Sequence, residues 1–294
     1  MSRNQTMNTM PSRADLTDRI ESGLSMALET AQLPPRLSDA ARHAVLGAGK
    51  RLRPLICLLG TEAVGGEPAD SIHGAVSLEL IHAFSLVHDD LPALDDDSVR
   101  RGRPTLHVAY GEPMAILCGD LLMSLAMEQA SMSRTRPLDV VKEVVQATTA
   151  MIIGQVHDTL GCFQDGLDEH EKLHRIHENK TGALLLASAR IGAICGDADL
   201  HQLERISQWG RLIGLMYQVV DDVLDETQST DHLGKASGKD RDAGKLTFPG
   251  TIGLDESVKY ISQLQEQARE SLLPLGQGAN GLLDLTDFLA SRTR

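Results

Sequence analysis

The sequence is poor in cysteine and in aromatic residues, holds no long hydrophobic run and carries a deficit of positive charge. Its four cysteines, Cys57, Cys118, Cys162 and Cys195, stand apart with no C-x-x-C spacing, and the N-terminal stretch M-S-R-N-Q-T-M-N-T-M-P lacks the apolar segment of a secretory signal. Neither a disulfide framework nor export is indicated, and the expected setting is a reducing cytoplasm. The best apolar run, P-L-I-C-L-L from Pro54 to Leu59, falls far short of the roughly 18 residues a membrane helix needs. With 28 Lys+Arg against 41 Asp+Glu, a net charge of −13, the chain lacks the basic footprint of a general nucleic-acid binder. An anionic ligand would need local clusters of Lys and Arg. What the chain does have is 294 residues, of which 41% are hydrophobic despite only 3% aromatic. That is enough to bury a sizeable core without disulfides.

Residues 1–11 are polar and patternless and read as a disordered leader. Ser12 followed by Asp15 resembles a capping box opening a helix, on which Leu16, Ile20, Leu24 and Ala27 keep helical spacing. Apolar residues then recur at three- and four-residue intervals, as in Ile72, Val76, Leu80, Ala83 and Val87, or Leu212, Leu215, Val219 and Val223. No strand-like alternation persists. The expectation is a single all-α domain over 12–294, with roughly ten helices and two irregular polar stretches near 95–112 and 226–250. Irregular segments of that length are usually functional in a compact domain. The small-residue segment from Thr181 to Gly196 is expected to let helices approach closely.

Two acidic clusters stand out. The first, H-D-D-L-P-A-L-D-D-D from His88 to Asp97, follows an amphipathic helix on which His82, Ser85 and Asp89 share a stripe. The second, Asp221, Asp222 and Asp225, closes an apolar helix, with Asp221 and Asp225 one turn apart. Each is either a solvated acidic segment or a hard-cation site. Carboxylates on an apolar helix are costly when buried, and Mg²⁺ is typically held by one or two carboxylates plus substrate phosphates. Three basic groups lie near them: Lys50, Arg51 and Arg53; Arg100, Arg101 and Arg103; and Lys235, Lys239, Arg241 and Lys245. These either pair with their acidic neighbours or, together with metal-bearing Asp, form sites for diphosphate-like groups. His170, His174 and His177 share one helix face but stand among Glu171, Lys172 and Glu178, which reads as a solvated polar face rather than a zinc site. A Walker A motif fails, since Ala44 occupies its first Gly position and no Ser or Thr follows Lys50. Rossmann and nucleophile-elbow signatures are missing as well.

Six blocks in order resemble the trans-prenyl diphosphate synthases, particularly bacterial farnesyl diphosphate synthases. They are G-K-R-L-R-P at 49–54, L-I-H-A-F-S-L-V-H-D-D-L-P-A-L-D-D-D-S-V-R-R-G-R-P-T-L-H at 80–107, G-Q-V-H-D at 154–158, K-T-G-A-L at 180–184, Y-Q-V-V-D-D-V-L-D at 217–225, and L-G-K with G-K-L-T-F-P at 233–249. The resemblance implies an isoprenoid-synthase-type helical bundle around a central cavity, usually homodimeric. It implies that Asp89 and Asp95, supported by Asp90 and Asp96, together with Asp221 and Asp225, hold Mg²⁺ on an allylic diphosphate. Arg100, Lys180, Lys235 and Lys245 complete that clamp, and Thr181 and Gln218 lie near the allylic cation. Isopentenyl diphosphate is expected on Lys50, Arg53, His82 and Arg101. Phe84 and Ser85, five and four residues before the first Asp, resemble the chain-length positions of fifteen-carbon synthases, so farnesyl diphosphate is the expected product and geranylgeranyl diphosphate the alternative. Tyr217 stands where the family often has Phe. A class I terpene cyclase, which has no second diphosphate to bind, and a non-catalytic subunit are the remaining rivals.

Overall fold

The computed structural model describes residues 13–47, 49–227 and 246–292. The expected leader, the Ser12 cap, and Lys235 and Lys245 with most of the second polar stretch lie outside the described residues. Among those residues there are thirteen α-helices and one minimal strand pair. In chain order the first four helices are α1 (Arg13–Thr30), α2 (Pro35–Val45), α3 (Leu52–Ala63) and α4 (Ile72–Asp89). After β1 (Val99–Arg100) and β2 (Arg103–Pro104) come α5 (Leu106–Tyr110), α6 (Glu112–Ser131), α7 (Pro137–Leu160), α8 (Glu169–His177), α9 (Ala183–Cys195) and α10 (Leu200–Thr227). The chain ends with α11 (Phe248–Ile252), α12 (Leu254–Leu272) and α13 (Asn280–Ser291).

Hydrophobic periodicity sorts these helices into layers. α3 and α9 are apolar on nearly every side, and nearly all of their residues are buried. A helix apolar all round belongs in the middle of a bundle, and these two pack against each other there. Their axes approach closely because the small-residue segment permits it: a Cβ at Gly192 would lie 2.1 Å from the Cys57 carbonyl oxygen. α1 buries the single stripe Leu16, Ile20, Leu24, Ala27 and Leu28 and covers the bundle from outside. α4 packs on α3 and α6, and α10 on α9 and α12. Trp209 of α10 is fully buried, and its indole N–H donates to Thr286 Oγ1 of α13 at 2.9 Å, tying the last helix to the core.

The first polar stretch is more ordered than its sequence suggests. β1 and β2 form a hairpin in which Arg100 faces Arg103 across the turn Arg101-Gly102. Both turn residues have positive φ, 53° and 73°, the signature of a tight two-residue hairpin turn. With two residues per strand there is no alternation to read, which is why periodicity missed it. α5 and α6 follow with only Gly111 between them, so the end of this stretch is helix rather than loop.

Candidate active site

α4, α7, α10 and the turn between α8 and α9 enclose a cavity of about 710 Å³. α4 contributes His82, Phe84, Ser85, His88 and Asp89 to its wall, which bears out the stripe expected for His82, Ser85 and Asp89. α7 contributes Met151, Ile152, Gln155 and Val156, α10 contributes Tyr217, Gln218 and Asp221, and the turn contributes Lys180 and Thr181. Arg53, Leu94 and Arg100 also line it. Phe84 is buried, with its ring edge-on to His88 at 5.0 Å between centroids. His88 sits in a notch of α6 at Gly119, where a Cβ would come within 2.1 Å of its Nε2. The aromatic wall is therefore backed by a second layer.

A smaller recess of about 420 Å³ adjoins this cavity and shares Arg53, His82 and Tyr217 with it. Its lining also includes Gly49, Lys50, Glu79 and Arg101, so the four residues expected to hold isopentenyl diphosphate meet in one place. Arg53 is half-buried, but its Nε is itself shielded from solvent and finds no hydrogen-bond partner among the described residues. His82 is held well below the usual imidazole range, chiefly by burial and then by the charges of Arg53, Arg101, Arg100 and Arg51. A neutral His82 faces Arg101, whose Nη2 lies 3.4 Å from Nε2. Cationic donors gathered around one recess make a candidate anion site.

Arg51 behaves differently from its neighbours. It adopts a left-handed backbone, φ 46°, and buries its side chain. Its guanidinium donates to Glu21 and to Glu79, each at 2.6 Å, and to the carbonyls of Val45 and Gly47 at 2.8 and 3.2 Å. With its donors committed, Arg51 holds the loop that carries Lys50. Glu79, buried within the apolar face of α4, is also the countercharge felt by Arg53 and Arg101.

The acidic motifs divide their labour. Asp89 faces the cavity with its pKa raised to about 6, mainly by burial; Asp95 and Asp90 push the same way, while Lys180 and Arg100 oppose. Asp90 turns away from the cavity and takes Arg100 Nε on both oxygens, at 2.7 and 2.9 Å. Asp95 and Asp96 are exposed, and the chain is folded back by the Asp95 N–H donating to the Asp89 carbonyl at 2.9 Å. On α10, Asp221 lines the cavity, whereas half-buried Asp225 does not. Asp222 faces elsewhere, accepting the Phe248 N–H at 2.9 Å with His177 Nε2 at 3.5 Å. Burial raises the Asp221 pKa, opposed first by Arg292, whose Nη2 donates to Oδ1 at 2.6 Å.

Lys180 lies on a five-residue π-helical turn, Glu178–Gly182, and its Nζ pairs with Asp158 at 2.5 Å. The block at 154–158 builds this contact. Gly154 lets α7 meet the turn at backbone distance, since a Cβ there would lie 2.2 Å from the Lys180 nitrogen. Of His170, His174 and His177, His170 is exposed as expected of a solvated face, and His177 departs from that expectation. His177 is buried, and all three rings pack around buried Phe248, with centroids 6.5, 5.4 and 5.5 Å away.

The site residues that sequence reasoning passed over are Arg292, Glu79, Asp158 and Gln155. Glu79 was detectable as a lone carboxylate in V-S-L-E-L-I, and Asp158 and Gln155 lie inside a quoted block. Nothing in the sequence around Arg292 marked it.

A helical bundle with a largely apolar cavity, carboxylates from two of its helices in the lining and an arginine-lined recess at its side defines an enzyme of the isoprenoid-synthase type. The chain belongs to the polyprenyl synthetase family, whose profile matches residues 34–272, and it is a prenyltransferase that elongates prenyl chains. It is 42% identical over 269 residues to geranylgeranyl pyrophosphate synthase 4 of Arabidopsis thaliana, covering 88% of this chain and 72% of that protein. The crystal structure of geranylgeranyl pyrophosphate synthetase from Pyrococcus horikoshii superposes with a TM-score of 0.84 at 32% identity, over 94% of this chain and 96% of that one. An FPP/GFPP synthase from Zymomonas mobilis gives a TM-score of 0.79 at 29% identity, over 94% and 97%.

Proposed function

We propose that the protein condenses isopentenyl diphosphate with allylic diphosphates, dimethylallyl and then geranyl, to form farnesyl diphosphate with the aid of Mg²⁺. The observation that carries this reading is the pair of adjoining sites, one lined by carboxylates and one by arginines, which share Arg53, His82 and Tyr217. A cyclase would have no use for the second.

The donor set fits magnesium. Asp89 and Asp221 offer hard oxygens to one cavity from α4 and α10. Two carboxylates in one cavity suit an ion held by one or two carboxylates and completed by substrate phosphate and water. Asp89 and Asp221 would hold it, with Asp95 and Asp225 near enough along the chain to join. Bound there, it would supply positive charge to the departing diphosphate.

Lys180 and Arg100 add fixed positive charge beside Asp89, so the allylic C–O bond breaks toward the charged end of the cavity. The allylic cation then lies near the Thr181 hydroxyl and the Gln218 amide, whose oxygen dipoles stabilise it. Lys50, Arg53, His82 and Arg101 hold the second diphosphate so that its double bond meets that cation, and neutral His82 accepts from Arg101 rather than repelling it. The released diphosphate takes the proton. The tail extends along the apolar wall until it meets Phe84. A twenty-carbon product is the second reading, favoured by the names of the Arabidopsis and Pyrococcus relatives.

A second copy of the chain is proposed to cover the outward apolar side chains of α6 and α7, among them Ile116, Leu117, Val145 and Ile153, giving a homodimer. No described helix is long and apolar enough to cross a membrane. The test is incubation with isopentenyl and dimethylallyl diphosphates, with and without Mg²⁺, followed by dephosphorylation and mass spectrometry. A metal-dependent fifteen-carbon alcohol is expected. A twenty-carbon one retains the reaction and moves the ruler, and no condensation from any allylic starter overturns the proposal.

A further inference from the structure

The end of α13 returns to the candidate active site. Arg292, the residue after α13, lays its guanidinium over the Tyr217 ring, 3.8 Å from the centroid. Its Nη2 donates to the Tyr217 carbonyl at 2.7 Å and to Asp221 Oδ1 at 2.6 Å. The Arg292 side chain is 4% exposed, although it lies close to the chain terminus, while that of Asp221 is 42% exposed.

Three observations separate this contact from an ordinary surface ion pair. An exposed pair contributes little and does not fix a chain end, whereas here the cation is desolvated against an aromatic face. The carboxylate it holds is the one of the second acidic motif that faces the large cavity. Finally, Arg292 Nε is buried with no hydrogen-bond partner among the described residues. A buried donor left unsatisfied is costly, so the docked arrangement is incomplete and open to displacement. Lys50 also bears on Asp221, but more weakly than Arg292.

A guanidinium on Oδ1 and a divalent cation draw on the same carboxylate. We propose that Arg292 is the resident counter-ion of Asp221 in the unliganded enzyme and competes with the divalent metal for it, so that metal and diphosphate release the C-terminal segment. The inference rests on the metal-dependent reading above. Arg292 is a positioning residue in this scheme, since it acts through Asp221. Release also uncovers Tyr217, which lines both recesses, so filling of the allylic site is communicated to the isopentenyl site through one ring. Binding equilibria coupled in this way are reciprocal.

The test uses Mn²⁺ as the probe, with the free ion measured by electron paramagnetic resonance in the presence of inorganic diphosphate, on the full-length protein and on Arg292→Gln and Arg292→Lys. Arg292→Gln is expected to bind Mn²⁺ about fivefold more tightly, the scale of one partly exposed ion pair removed, with Arg292→Lys in between. Amide hydrogen exchange on the unaltered protein supplies an independent readout: exchange over residues 286–292 rises when Mn²⁺ and diphosphate are added. Equal or weaker Mn²⁺ binding by Arg292→Gln overturns the proposal, as does increased protection of those residues on loading. If the unaltered protein binds no Mn²⁺ with diphosphate, the metal-dependent reading fails and this inference with it; if both proteins bind alike, only this inference fails.

Discussion

Replacing Phe84 with alanine removes the aromatic ring that faces the cavity from α4 and is propped by His88. Truncating a fully buried Phe costs about 3–5 kcal/mol. Phe84 already borders empty space on one side, so a loss near about 2–3 kcal/mol is expected, enough to lower the melting temperature without unfolding the protein. The next α4 residues on that side are Leu80 and Ile81, both fully buried, one helical turn or about 5.4 Å further from Asp89. That space admits one more isoprene unit. The major product is therefore expected to shift from fifteen to twenty carbons, with the rate of the first condensation little changed. The assay is mass spectrometry of dephosphorylated products beside a thermal melt, with Phe84→Leu as a control that keeps most of the volume and the fifteen-carbon product. A folded Phe84→Ala protein with an unaltered product distribution would refute Phe84 as the ruler.

Three further outcomes follow from the same geometry. Asp89→Ala should lower kcat by about a thousandfold while changing KM for the allylic starter far less, because several kcal/mol of charge stabilisation is needed most as the C–O bond breaks; steady-state kinetics in excess Mg²⁺ decide it. Arg51→Met should destabilise the protein by about 3–5 kcal/mol by leaving Glu79 buried and unpaired, and should raise KM for isopentenyl diphosphate more than for the allylic partner; denaturant melts and the two KM values test this. The pH response of Asp89 has a definite sign. Its folded pKa of about 6 lies above its ordinary value, so the native state binds the extra proton and this group's favourable contribution is lost as pH rises toward 6. In EDTA, Asp89→Asn should therefore be more stable than the unaltered protein at pH 7, with the gap closing as pH falls through about 6 toward 4. A gap that widens on acidification would contradict the buried, proton-holding Asp89.

Much of this site is legible from residues in order. Asp89, His82 and Ser85 share a face because seven residues make two helical turns, and the structure puts all three on the cavity wall. Lys50 and Arg53 meet Arg101 from a distant part of the sequence, and only the six ordered blocks, not periodicity, pointed to that meeting. Periodicity found the buried helices but not the hairpin, whose strands are two residues long. Composition misjudged His177, because a helix with charged neighbours still buries it when Phe248 arrives from elsewhere in the chain. Consecutive aspartates cannot be told apart by eye: Asp90 goes to Arg100 and Asp222 to the Phe248 amide, partners set by tertiary packing. Arg292 lay beyond reach for the same reason, since its role depends on where α13 ends in space.

The central claim is that charge at the mouth of the cavity ionises an allylic diphosphate before the new bond forms. Comparing turnover of geranyl diphosphate with that of its 2-fluoro analogue tests it most directly, since fluorine destabilises the cation while barely changing size. The account predicts a slowing of at least about a hundredfold, about 2.7 kcal/mol in the barrier, with similar KM values. Equal or faster reaction of the fluoro compound would mean direct displacement and would contradict the account.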